Sequence, residues 1–154
     1  MTPEIRSSYV EVCVFRRTAA GPQFLILRRS EEERIYPGLW QNVTGSIEDG
    51  ETALGAAQRE VREETGHDPV RLWVIPFVNS FYVPRKDMIM LTPFFAAEVH
   101  PEAETVLSGE HSEYAWLGYD EALLRLVWPG QKRGIQLVLS EIISGNQSGM
   151  LLEI

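Results

Sequence analysis

Glu60, Glu63 and Glu64 stand within one short stretch of the chain, in the run Arg59-Glu60-Val61-Arg62-Glu63-Glu64. On a helix, at about 100° per residue, Glu64 falls about 40° to one side of Glu60 and Glu63 about 60° to the other. The three carboxylates therefore share one narrow arc. Each like-charge pair so placed costs roughly 0.2–0.5 kcal/mol on an exposed helix. A hard divalent cation reverses that sign, because Mg²⁺ and Mn²⁺ prefer oxygen ligands in an octahedral set. The plain alternative for such a run is a solvated helix face laced with ion pairs.

The elements around the run are those such a site would need. Thr52 suits an N-cap, Gly66 suits the left-handed residue after a helix, and Asp68-Pro69 blocks continuation, so the spacing predicts a helix over 52–65. Val61 and Leu54 form a separate apolar flank for the core. Ala53, Ala56 and Ala57 leave little bulk near the carboxylates. The glycine-containing loop ahead of the helix can bring the carbonyl of Gly45 to the same ion, and Arg59 can tie Glu51 and that loop to the helix.

Upstream, the alternation in Tyr9–Phe15 fits a strand apolar on nearly both faces. The Gly21-Pro22 turn leads into a second strand, Phe24–Leu27, making a hairpin. A polar loop, 30–38, precedes the short apolar stretch Leu39–Val43. Leu72–Tyr82 and Met88–Val99 read as strands with Pro76 and Pro93 at edges or bulges. Glu113–Leu117 reads as a last strand, followed by a helix capped by Asp120. A final helix starts near Pro129-Gly130, with Ile135, Val138, Leu139, Ile142 and Ile143 on one stripe. The tail Met150–Ile154 either docks or hangs free. The expected architecture is one α/β (α+β) domain over residues 1–154.

Composition narrows the function classes. Of 154 residues, 44% are hydrophobic and 23% charged, which excludes a disordered chain. Lys plus Arg number 14 against 22 Asp plus Glu, a net charge of −8, so no nucleic-acid backbone is an expected partner and a polyphosphate would need recruited cations. The one cysteine, Cys13, excludes an intrachain disulfide and multi-cysteine zinc motifs. No apolar run reaches a membrane span and the N-terminus lacks a signal-peptide layout, so the expectation is a cytoplasmic protein with no membrane partner.

The full pattern Gly45, Glu51, Arg59-Glu60-Val61, Glu63-Glu64 and Gly66 resembles the Nudix box, with His67 where the family prefers an aliphatic residue. The resemblance implies a Nudix α/β/α sandwich with a mixed central sheet and a hydrolase that cleaves a nucleoside diphosphate linked to another group. It implies Glu60, Glu63 and Glu64 as metal ligands for Mg²⁺ or Mn²⁺, with Glu60 or Glu64 helping to activate water. Glu110-His111-x-x-Tyr114-x-Trp116-Leu117 is similar to a segment at the mouth of the site in several Nudix branches. There Glu110 would supply a further carboxylate, as metal ligand or general base, and His111 alone reads as a solvated loop residue. The resemblance leaves a homodimer open.

Leu39-Trp40-Gln41-Asn42-Val43-Thr44-Gly45-Ser46 is similar to the stretch before the box in the dihydroneopterin triphosphate and dATP pyrophosphohydrolase branch. That likeness implies a nucleoside or pterin triphosphate cut to a monophosphate and pyrophosphate. Such a ligand needs a flat apolar wall, amides for its edge and cations for its phosphates. Trp40 is the candidate wall, with a place in the core as the alternative, and Gln41 or Asn42 the candidate edge reader. Arg28, Arg29, Arg85 and Lys86 are candidate phosphate clamps, though adjacent residues of one strand cannot both face a pocket. Trp128 can stack on a ligand or cap the core. Another nucleoside diphosphate derivative, or a nucleotide-sensing role without catalysis, are the competing readings.

Overall fold

Strand β2 (Tyr9–Thr18) is buried from Val10 to Phe15, and its alternate residues divide between two cores on opposite faces of one sheet. Val10, Val12 and Val14 join one, Cys13 and Phe15 the other. This is the two-sided burial expected of a central strand. The computed structural model describes residues 1–154.

The expected hairpin forms. β2 turns into β3 (Gly21–Arg29) and pairs with it antiparallel, Val14 opposite Leu25. Toward its N-terminus β2 instead pairs with β5 (Val43–Ser46), while β3 pairs with β4 (Trp40–Gln41). The segment from Trp40 to Ser46 thus fills the gap where β2 and β3 part. That wedge delivers Gly45 to the start of the helix bearing the carboxylates.

On the other side of β2 runs β7 (Met88–Glu98), parallel to it, with β1 (Glu4–Arg6) continuing the same ladder and β6 (Arg71–Val83) antiparallel beyond. β8 (His111–Leu117) pairs with β3 and completes an eight-stranded mixed sheet. Pro76 falls in a register shift between Val74 and Val78, as anticipated. Pro93 borders the same irregularity from the other strand, opposite Val78, a bulge rather than an edge. It sits inside central β7, between Met90, which faces β1, and Phe94, which faces β2, where a missing N–H costs the ladder least.

Helix α1 (Ala53–Thr65) covers one face through Ala56, Ala57 and Val61. Thr52 caps it, its Oγ1 accepting from Gly55 N at 3.0 Å, and Gly66 ends it at φ 72°. The opposite face carries α2 (Tyr119–Arg125) and α3 (Pro129–Leu137), which runs on as a π-helical turn over Val138–Ile143. The result is the α/β/α sandwich expected. Asp120 is not the cap of α2: Gly118 holds that position without a side-chain bond, and Asp120 lies in the first turn. The tail docks, with α4 (Gln147–Leu152) leading to a bond from Ile154 N to Leu72 O at 2.9 Å and an ion pair between Glu153 and Arg71. No helix is long and apolar enough to cross a membrane.

Candidate functional site

Helical spacing sets Glu60 and Glu64 on the sheet side of α1, where they are 8% and 2% exposed. Two carboxylates buried together raise each other's proton affinity. Burial, followed by the nearby charges of Glu60 and Glu110, pushes Glu64 up to about 9, although the backbone N–H of Thr44 opposes this. Burial likewise raises Glu60, with Arg59 working against it. One oxygen of Glu64, Oε2, is buried without a partner. Glu110, exposed just before β8, lies near enough for its charge to raise both residues further.

Arg59 organises the rim. Its Nε and Nη2 grip Glu51 at 2.8 and 3.0 Å, Nη2 also donates to Ser46 O at 2.8 Å, and Nη1 reaches Glu60 at 2.8 Å and Glu63 at 3.1 Å. Glu51 in turn accepts from the backbone N–H of Glu48. One guanidinium therefore ties the loop after β5, the residue before the helix cap and two helix carboxylates together. Glu63 is otherwise largely solvated, its side chain 58% exposed.

The donor set suits a hard cation in kind: carboxylate oxygens only, one of them orphaned, with Glu60 packed directly on the backbone of Gly45. No three acidic, histidine or cysteine side chains converge into a ready ligand cage. With Arg59 drawn onto Glu60 and Glu63, its guanidinium already balances part of the charge that a divalent ion would.

Beside this cluster opens a cavity of about 530 Å³, within the size range of small-molecule sites. Its floor includes Glu11 and Thr44, partners across β2 and β5. Asn79 to Tyr82 of β6 form one wall, and Trp128 to Gln131 at the start of α3 form another. Tyr36, from the loop before β4, stands edge-on to Trp128 with ring centroids 5.1 Å apart. Thr44 connects cavity and carboxylates: it lines the one, and its backbone N–H points at Glu64 in the other.

Gln41 lines this cavity as expected, and Trp40 does not. Neighbouring strand residues point to opposite faces, and the Trp40 ring packs on the α2–α3 core beneath the guanidinium of Arg125, 4.6 Å from its centroid. The tryptophan at the cavity is Trp128, with Tyr36, Phe81 and Tyr82 as its other aromatic residues. Arg28 and Arg29 are also elsewhere than expected: Arg28 binds Glu31, Glu113 and Gly38 O, and Arg29 binds Glu33 and Ile35 O. Both are held by the acidic, carbonyl-rich loop that follows them. Arg85 and Lys86 lie exposed in the turn between β6 and β7, outside the cavity lining.

His111 is not a solvated loop residue. It opens β8, is 5% exposed and meets Gln41 with 3.1 Å between their Nε2 atoms. Burial, with Arg29 nearby, pulls it down to about 4. A neutral ring accepting at Nε2 takes the Gln41 N–H and leaves the Gln41 oxygen for the cavity. His67 is accommodated by hydrogen bonding. Trp116 Nε1 donates to Thr105 Oγ1 at 3.1 Å, and that hydroxyl meets His67 Nε2 at 2.8 Å; burial, with the Arg16 charge, lowers the imidazole's proton affinity and suits it to accept there.

Sequence reasoning missed Glu11, Tyr36, the β6 residues Asn79 to Tyr82 and Gln131 as cavity residues. Glu11 carried a readable signal, an acid in the middle of an apolar strand. The others come from the loop before β4, from strand β6 and from the first turn of α3, and carried none.

The NUDIX domain family model matches residues 8–138. The chain is 36% identical over 102 residues to a bis(5'-nucleosyl)-tetraphosphatase [asymmetrical] of Rattus norvegicus, across 65% of this chain and 67% of that protein. It is 30% identical over 129 residues to an octanoyltransferase of Myxococcus xanthus, across 82% of this chain but only 35% of that one, so it spans about a third of that relative's length. Its fold superposes on the E. coli dihydroneopterin triphosphate pyrophosphohydrolase with a TM-score of 0.71 at 25% identity, covering 91% of this chain and 99% of the other.

Proposed function

This chain belongs to the Nudix family and is a Nudix hydrolase acting on nucleoside diphosphate derivatives; from that premise we propose that its substrate is a nucleoside or pterin triphosphate, cleaved between the α and β phosphates to a monophosphate and pyrophosphate. The observation that carries this reading is the junction at Thr44 and Gly45. An aromatic-walled cavity sized for a base ends where the buried carboxylates of α1 begin. A ligand with its ring beside Trp128 would lay its phosphates toward Glu60 and Glu64.

Glu60, Glu63, Glu64 and Glu110, with the carbonyl of Gly45, would hold Mg²⁺ or Mn²⁺. The bound ion supplies charge neutralisation at the phosphate oxygens and a more acidic water. Glu64 would take a proton from the attacking water or bind the ion, a reading supported by its burial and its unpartnered oxygen. Arg59 and Glu51 keep the loop at Gly45 against the helix, so the donors keep their spacing. Gln41, oriented by His111, presents a polar edge to the ligand. Arg85 and Lys86, exposed in the turn after β6, are the candidate cations for the phosphates.

The alternative within the family, a dinucleoside polyphosphate, draws on the rat tetraphosphatase likeness. A panel of dNTPs, dihydroneopterin triphosphate, ADP-ribose and diadenosine tetraphosphate in Mg²⁺ separates them. Pyrophosphate release from triphosphates is the expected result. Turnover of diadenosine tetraphosphate alone, or of ADP-ribose alone, would overturn the substrate assignment.

A further inference from the structure

Glu11 is an acid in a strand that packing alone would make apolar. It interrupts the buried run Val10–Phe15 and is 8% exposed on the cavity floor. Gln131, 3% exposed, faces the same cavity from the first turn of α3. Asn79 lines the cavity beside them, and the side-chain amides of Asn79 and Gln131 favour the ionised Glu11 carboxylate against its burial. Two acceptors at the floor stand without a donor. Glu11 Oε2 and Gln131 Oε1 are both buried and without a hydrogen-bond partner. Buried acceptors of this kind are ordinarily satisfied, so their natural complement is a ligand edge that brings N–H groups.

We propose that Glu11 and Gln131 read the base of the substrate and select a 2-amino-4-oxopyrimidine edge, that of guanine or of a pterin, by accepting from its ring N–H and its adjacent amino group. This deepens the triphosphate reading and rests on its assignment of the cavity to the base. The other common edges do not fit two empty acceptors. Adenine and cytosine present one amino donor beside a ring lone pair, and uracil or thymine one N–H between two carbonyls. Each would set a lone pair against an acceptor already lacking a donor. Protonation of Glu11 would instead suit adenine, because the acid could donate to the ring nitrogen. Burial raises Glu11 to about 7 and the side-chain amides of Asn79 and Gln131 work against that rise, so the acceptor form that selects guanine or a pterin is the one that gains as pH increases above 7. Trp128, 39% exposed at the cavity edge, supplies a face for either ring system.

Calorimetric titration of the full chain with GMP, neopterin, AMP and CMP, without metal, tests the inference apart from hydrolysis. GMP and neopterin should bind at least about tenfold more tightly than AMP and CMP, and Glu11→Gln should remove most of that difference while a thermal melt shows it folded. Gln131→Met serves as the second variant if Glu11→Gln does not fold. AMP binding as tightly as GMP, or an unchanged ratio in the folded variants, overturns the proposal. A guanine or pterin preference in a protein that cleaves no triphosphate would remove the triphosphate reading and leave this one standing. Triphosphate cleavage without any base preference would do the reverse.

Discussion

The carboxyl group of Glu60 lies directly over the α-carbon of Gly45, in the space where any side chain at that position would begin. Only glycine lets α1 bring its carboxylate down onto strand β5. Gly45→Ala should therefore push Glu60 out of place. The expected loss in kcat is about 10–100-fold, the scale seen when groups that orient metal ligands are disturbed, with the circular dichroism spectrum retained. Full activity in a folded Gly45→Ala enzyme would show that the contact has no part in catalysis.

Glu64→Gln keeps the size and burial of the side chain and removes its charge. Activity in Mg²⁺ should fall by more than about a hundredfold, while thermal stability without metal should rise or hold, because a neutral group replaces an acid that burial and nearby charges push up to about 9. Turnover and a melting curve on the same preparation check both halves.

Arg59→Lys keeps the positive charge and loses the two-pronged grip on Glu51. One ammonium cannot serve Glu51, Ser46 O, Glu60 and Glu63 together. We expect a loss of roughly 1–2 kcal/mol in stability and a higher concentration of Mg²⁺ for half-maximal rate. An unchanged metal requirement would count against a positioning role.

Two buried groups titrate with opposite effect. His111 is lowered to about 4, so the unfolded chain binds more protons than the native one between there and 6.5. Its contribution is complete above 6.5 and is lost as pH falls toward 4. Glu11 is raised to about 7, so its contribution is complete below 4.5 and is lost as pH rises through 7. Each spans about 3 kcal/mol by linkage. Relative to wild type, Glu11→Gln should gain stability as pH rises from 4.5 to 7, and His111→Gln should gain as pH falls from 6.5 to 4. Urea denaturation across that range, in the absence of metal, reads both slopes; parallel curves would contradict the burial-driven shifts.

Helix α1 was legible from end to end in the amino-acid order: its cap at Thr52, its stop at Gly66, its carboxylate face and the Arg59–Glu51 tie. These are short-range features, set by the rise and turn of a helix and by residues at most eight apart, so spacing alone determines them. The β2–β3 hairpin and the alternation along β2 were legible for the same reason. The cavity belongs to the tertiary structure. Glu11, Asn79 and Gln131 meet because β2, β6 and α3 converge, and Gln41 meets His111 across seventy positions of sequence. Which tryptophan lines the cavity was likewise beyond local reading. Strand alternation turns Trp40 into the core under Arg125, while the link into α3 sets Trp128 at the cavity edge. Strand pairing and helix docking choose among such alternatives by burying the larger apolar area at the least cost in unpaired polar groups, and that balance exists only once the chain is assembled.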